Sequence, residues 1–304
     1  MKLNVIGWYG IKNIGDNTFR EVFLKQFWDH EIVFSQQPIL DADAIILGGG
    51  GVVNGNYLLG LERYTRPLFA MGVDIAVNGM WWERIKSLPF KKLYVRSKEY
   101  TTLASETVTN IEYCPDLAFH LYDETRQRVA SKRKCGIILS YELTSGIDHL
   151  ATTLRKLQTE YDELVFITLY TEDNRDLEVV KKVAAECQCP CSFVEPDSPL
   201  AALQIMSELD LVISMRFHGI IFATMLGIPF LALANKGKCS LFCEQERLFG
   251  CHLEITEMNP AKLYDRIRWL AENQEAMSEY LLLISKENKQ KVDQVLDAVK
   301  GWIY

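Results

Sequence analysis

Short apolar runs alternate with amphipathic stretches along almost the whole chain. Leu3–Ile6, Glu31–Phe34, Ala44–Leu47, Val73–Val77 and Lys92–Val95 read as strands: short, rich in branched apolar residues, bounded by turn residues. Phe19, Val22, Phe23 and Phe27 recur at helical spacing and predict a first helix. Further helices are expected over about Tyr57–Met71 and after Lys98, with short strands near Ile111 and Leu117. A polar, basic stretch from Tyr122 to Lys134 reads as a linker. A second series follows, with strands near 135–141, 164–169, 192–195, 210–214 and 229–233, and a helical tail beyond Pro260. Alternating β and α elements imply parallel sheets with right-handed crossovers. The expected fold class is therefore α/β and GT-B-like, with two Rossmann-like domains whose parallel sheets face a central cleft. The expected domains are residues 1–128 and 129–304, the second carrying the tail.

Composition narrows the function. A formal charge of -7 argues against broad binding to nucleic acid or to anionic membrane. No apolar run approaches the roughly 20 residues of a membrane-spanning helix, and the opening MKLNVIGWYG is too short in apolar residues for a signal peptide. The expected location is the cytoplasm. Most of the 8 cysteines lie in apolar segments and read as reduced core thiols. The exception is Cys187-Gln-Cys189-Pro-Cys191, whose alternation suits a metal but lacks the CxxC spacing of a zinc knuckle. Cys239, Cys243, Cys251 and His252 complete such a site only if folding brings them close.

Five segments carry residue types suited to chemistry. Gly7–Asn17 joins the first strand to the first helix. There Asp16 reads either as a helix cap or, with Asn13, as a holder of a substrate hydroxyl. Gly48–Gly51, with Gly49 and Gly50 at its centre, closes a strand and suits close approach, by a ligand or by the other domain. Arg96 directly follows a strand, either pairing Glu99 or offering a fork to a carboxylate or phosphate. Asp116 in Cys114-Pro-Asp116 alone reads as a turn residue. In Leu209–Lys238, Arg216 and His218 stand where a strand gives way to a helix, and Lys236 and Lys238 follow the next strand. Cations at adjacent strand ends suit an anionic ligand. Trp81 and Trp82 read as core residues or as sugar-stacking rings, and Gly301–Tyr304 as helix docking or peripheral membrane contact.

Taken in order, these segments resemble the polysaccharide pyruvyl transferase family. The matching stretches are Tyr9–Asp16, Asp43–Gly51, Val95-Arg-Ser-Lys-Glu99, Cys114–Phe119 and the Arg216-Phe-His218-Gly run with its downstream Lys238. The resemblance implies transfer of pyruvyl from phosphoenolpyruvate to a sugar, giving a ketal on a cell-surface or capsular glycan or its precursor. It implies a donor site on the C-terminal side, an acceptor site on the N-terminal side, and an acceptor that is free or lipid-linked at the inner membrane face. It also implies that Arg96, His218 and Lys238, supported by Arg216, handle phosphoenolpyruvate.

The chemistry fits those residue types. A proton delivered to the methylene carbon makes the central carbon electrophilic, a sugar hydroxyl attacks, and phosphate leaves. Arg96, Arg216 and Lys238 are the expected anion contacts, His218 the acid and Asp16 the base. No step calls for a metal or a cofactor. Two other readings remain open: a GT-B glycosyltransferase using a nucleotide sugar, and a catalytically silent glycan-binding protein of the same fold.

Overall fold

The structure is a computed structural model that describes residues 1–75, 81–126 and 132–303. The chain divides into two compact units. The first comprises Met1–Ile11, Asp16–Tyr122 and Glu287–Tyr304; the second comprises Lys12–Gly15 and Asp123–Lys286.

The first unit is built on a parallel sheet of β1 (Lys2–Ile6), β2 (Glu31–Ser35), β3 (Ala44–Gly50), β4 (Leu68–Val73), β5 (Lys92–Val95) and β6 (Ile111–Tyr113), in the order β2-β1-β3-β4-β5-β6. Helix α1 (Ile14–Gln26) buries Phe19, Val22 and Phe23. Helices α2 (Trp82–Ser87) and α3 (Lys98–Ser105) follow β4 and β5. Trp82 is part of the core, with Trp81 packed against it. The helix expected over Tyr57–Met71 does not form. Gly60 in a left-handed conformation and Pro67 interrupt it, leaving two short 3₁₀ turns, Gly55–Leu58 and Leu61–Arg63. The apolar run that follows is buried at every position, so it serves as the two-sided strand β4. The strand expected near Leu117 is likewise a 3₁₀ turn, Leu117–Leu121, capped by Asp116.

The second unit repeats the plan. Strands β7 (Lys134–Ile138), β8 (Glu163–Ile167), β9 (Cys191–Val194), β10 (Leu211–Ser214), β11 (Phe230–Leu233) and β12 (His252–Leu253) lie in the order β12-β11-β10-β7-β8-β9, all parallel. Its helices are α4 (Ile147–Leu157), α5 (Arg175–Cys187), α6 (Pro199–Met206), α7 (Phe217–Met225), α8 (Lys238–Gln245) and α9 (Pro260–Glu272); α10 (Gln274–Ile303) begins here. Helix α7 is apolar nearly all round and correspondingly buried.

Each sheet reverses direction once, between β1 and β3 in the first unit and between β7 and β10 in the second. Ligands of open α/β sheets bind outside the carboxyl ends of strands at such a point.

The unit boundaries differ from the sequence reading in two places. Residues 287–304, expected with the C-terminal domain, belong to the first unit. Asp293 accepts from His120 Nδ1 at 2.6 Å, Asp297 accepts from Gln26 at 2.8 Å, and Lys91 Nζ lies 3.9 Å above the Trp302 ring. In turn, Lys12–Gly15 belongs to the second unit, where Ile14 N–H donates to Leu169 O at 2.9 Å and Thr171 N–H to Lys12 O at 3.0 Å. The 128/129 boundary and Tyr304 lie outside the described residues. Among the described residues no helix is long and apolar enough to cross a membrane.

Candidate active site

In the second unit Arg216 and His218 follow β10 at the reversal point, and Lys238 follows the adjacent strand β11. Ser214 ends β10 and ties the turn that follows: its hydroxyl donates to Arg216 O at 2.8 Å and accepts from Arg216 N–H at 3.1 Å. Arg216 then caps α7 in an extended conformation. Gly219 lets the helix settle on the strand ends, since a Cβ there would lie 2.4 Å from Ser214 Oγ and 2.8 Å from Ile138.

Sequence reading missed the partner of Arg216. Asp176, fully buried in the first turn of α5, accepts from Arg216 Nε at 2.7 Å and from Nη2 at 2.5 Å. The same carboxylate accepts from Tyr141 N–H at 2.9 Å, just beyond β7. One aspartate thus joins the ends of the two strands that flank the reversal. The guanidinium also lies 5.1 Å from the Tyr170 ring and 5.4 Å from the Tyr141 ring. Held side-on in this way, Arg216 keeps Nη1 without a hydrogen-bond partner among the described residues. Its side chain is 24% exposed. The available signal was weak: an aspartate at the start of a helix usually reads as a dipole partner.

His218 is the second residue of α7 and packs against Phe217 and Phe222, with ring centroids 5.7 and 6.1 Å away. Lys238 opens α8, exposed, with Nζ 6.0 Å from the Phe217 ring. The other face of His218 meets Gly15, where a Cβ would lie 2.2 Å from Nδ1. Gly15 is therefore needed for contact with the imidazole, and its backbone φ is unremarkable. Asn13 holds this segment, pairing with Tyr170 in an isolated antiparallel bridge and accepting from Gly15 N–H at 3.0 Å. Asn13 supplies the N-cap of α1. Gly15→Ala is expected to leave a folded protein, because alanine suits a helix, but to push the imidazole aside. A displacement of about 1 Å at a reacting group can cost on the order of 10²-fold in rate. Turnover measured beside thermal unfolding checks this; unchanged turnover would detach Gly15 from the site.

In the first unit the reversal point carries Asp16 and the glycine run. A Cβ on Gly50 would lie 3.7 Å from Asp16 Oδ1, so the carboxylate sits over the end of β3. Tyr9 donates to Gly48 O at 2.6 Å. Burial first, and the Asp16 charge second, hold the Tyr9 phenol well above its ordinary pKa, and the same two causes raise Tyr57. Both stay neutral. The glycines at 48 and 49 are explained by packing inside this unit, not against the other domain. A Cβ on Gly48 would lie 2.5 Å from Tyr9 Oη and 2.7 Å from Phe23, and one on Gly49 would lie 2.7 Å from Phe19. Gly49 and Gly50 also have positive φ, at 83° and 70°. Within this run, Gly51 is the position where a Cβ would meet nothing within 4 Å.

Arg96 differs from its expected role. Its guanidinium is claimed by two aspartates: Nε donates to Asp74 at 2.5 Å, Nη2 to the other Asp74 oxygen, and Nη1 to Asp116 at 2.7 Å. The side chain is only 6% exposed. Burial opposes its charge, but the two carboxylates outweigh burial and raise its pKa further. Arg96 clamps the strand ends of this unit, and its fork is already filled by protein carboxylates.

The CxCxC segment also departs from expectation. Cys187 and Cys189 form a disulfide, while Cys191 remains free. Cys114, Cys135, Cys239, Cys243 and Cys251 are buried free thiols. No group of three or more potential metal ligands occurs among the described residues.

Two doubly wound units, each with polar groups at its reversal point, give a GT-B-like α/β fold. The solved structures similar to the chain agree. UDP-GlcNAc 2-epimerase from Neisseria meningitidis, bound to UDP-GlcNAc, has a TM-score of 0.64 at 11% identity, covering 99% of each chain. Acinetobacter baumannii MurG has a TM-score of 0.58 at 13% identity, again covering 99% of each. S. aureus MnaA with UDP has a TM-score of 0.64 at 11% identity, covering 92% of this chain and 90% of that one. At these identities the likeness shows the fold alone. Residues 5–237 match the polysaccharide pyruvyl transferase family model, and the chain belongs to that transferase family. A search of the curated proteins returns no match.

Proposed function

We propose that this protein transfers pyruvyl from phosphoenolpyruvate to a pair of hydroxyls on a sugar of a cell-surface or capsular glycan or its precursor. The products are a pyruvate ketal and inorganic phosphate. The observation that carries the reading is the placement of Arg216 and His218 beyond β10, at the reversal point of the second unit, with Lys238 beyond the adjacent β11 and its Nζ 6.0 Å from the Phe217 ring. Phosphoenolpyruvate presents a carboxylate and a phosphate, and the open Nη1 of Arg216 together with the Lys238 ammonium matches two anionic groups. His218 delivers the proton that converts the methylene carbon to methyl. The first hydroxyl adds to the resulting electrophilic carbon and the second displaces phosphate. One hydroxyl proton balances that gained by carbon, and the other leaves with phosphate. Asp16 is the base. The second unit is the donor side and the first the acceptor side. Arg96 positions Asp74 and Asp116 and does not grip the donor.

Lys238→Ala and Arg216→Ala are each expected to weaken phosphoenolpyruvate binding by about 10- to 100-fold, the scale of one lost charge-assisted hydrogen bond. Titration calorimetry measures it. Unchanged affinity in both variants would move the donor site elsewhere. A thermal-shift comparison sets the class of donor: phosphoenolpyruvate should raise the melting temperature. If UDP or GDP raises it instead, the protein is a nucleotide-sugar glycosyltransferase; if none does, it is a silent member of the fold.

A further inference from the structure

At the carboxyl ends of β2 and β3 the first unit has a depression of about 250 Å³, lined by Gln36, Gln37, Asn54, Gly55, Asn56 and Tyr57. We infer that it seats one uncharged sugar ring of the acceptor; this rests on the pyruvyl-transfer reading above. Four of the six lining residues carry side-chain amides and none carries a charge. An amide offers both donors and acceptors, and so matches hydroxyls, which do both. Tyr57 adds an aromatic ring. The volume falls below the roughly 300–1,000 Å³ of pockets for drug-sized ligands, which suits a single pyranose and not a nucleotide.

The position supports the same assignment. Gln36 and Gln37 directly follow β2, the residues Asn54–Tyr57 follow β3, and these two strands flank β1 at the reversal point. Two of the amides are already fixed. Asn54 Nδ2 donates to Gly51 O at 2.5 Å and Gln36 Nε2 to Tyr9 O at 3.3 Å, which leaves their carbonyl oxygens to accept from a ligand. Asp16, which takes the hydroxyl proton, sits over the end of β3, the strand that leads into Asn54–Tyr57. That negative charge also disfavours a uronate. The acceptor class is therefore a neutral hexose or N-acetylhexosamine residue.

Saturation-transfer NMR on the full chain tests this with methyl glycosides of neutral hexoses and N-acetylhexosamines, and with methyl glucuronide as the charged control. At least one neutral glycoside should bind and the glucuronide should not. The double variant Gln37→Ala/Asn56→Ala should weaken neutral binding by about 10-fold, each lost hydrogen bond contributing a few-fold. Its affinity for phosphoenolpyruvate should be unchanged. Absence of neutral binding, binding of the glucuronide alone, or equal binding by wild type and variant would each overturn the assignment. Loss of glycoside binding in the variant, with no phosphoenolpyruvate binding by the wild type, would uphold the sugar subsite and sink the pyruvyl-transfer reading.

Discussion

His218→Ala is expected to fold normally and to slow pyruvyl transfer by about 10²- to 10⁴-fold, the usual contribution of a positioned acid or base. The imidazole stands at the start of α7, two residues beyond Arg216, and is held by Phe217, Phe222 and the bare backbone at Gly15. The residue is half-buried, not part of the fully buried core. His218→Asn keeps a polar group there but cannot deliver a proton to carbon, so it should be equally slow. Phosphoenolpyruvate affinity should fall far less than turnover, because binding rests on Arg216 and Lys238. Steady-state turnover and calorimetry on the same preparations separate the two. Near-normal turnover would remove His218 from the chemistry, and an equal loss in binding and rate would make it an anion ligand.

The second large effect is on stability. Arg96→Leu should destabilise the protein by about 3–5 kcal/mol, because removing one member of a buried ion pair leaves a charge without compensation. Against a typical total of about 5–15 kcal/mol, that is a large fraction. The Asp116 side chain, 2% exposed, would bear most of it. The penalty should shrink as pH falls, since without its cation the buried carboxyl has a raised folded-state pKa and is stabilised by protonation. Wild type should show no such gain. Adding Asp116→Asn to Arg96→Leu should recover part of the loss. Denaturant unfolding at pH 5 and pH 8 decides the matter: an Arg96→Leu midpoint equal to wild type at both would return Arg96 to the role of a free anion fork.

The strands were the most legible part of this chain. Ala44–Leu47 and Lys92–Val95 stand out because a buried parallel strand is apolar on both faces. Leu68–Val73 is equally apolar, but its run adjoins Tyr57–Arg63, and an apolar run of that length fits either a strand or a buried helix. The cations of the second unit were visible through their placement at consecutive strand ends. Their supports were not. Asp176 precedes Arg216 by 40 residues, and only the β7-β10 pairing brings α5 beside that turn. At Gly15 and Gly48 a sequence does not show which ring will press on a missing Cβ. The partners of Arg96 were hidden for a related reason. A forked cation after a strand looks the same whether a substrate or two aspartates will fill it, and both aspartates lie more than 15 residues away in the chain.

Helix α10 has a consequence for how the chain is made. Its last stretch completes the first unit, through Asp293 with His120 and through Asp297 with Gln26. Residues 123–286 are synthesised between Tyr122 and that stretch. At roughly 5–20 residues per second, the early sheet waits on the order of ten to thirty seconds on the ribosome before its final helix emerges. At the end of that interval the second unit has all of its own residues, while the first still lacks the stretch that carries the buried Val292, Leu296 and Val299. The half of the protein made first is thus the last to close, and a nascent chain stalled near residue 286 should present the first unit incomplete to chaperones.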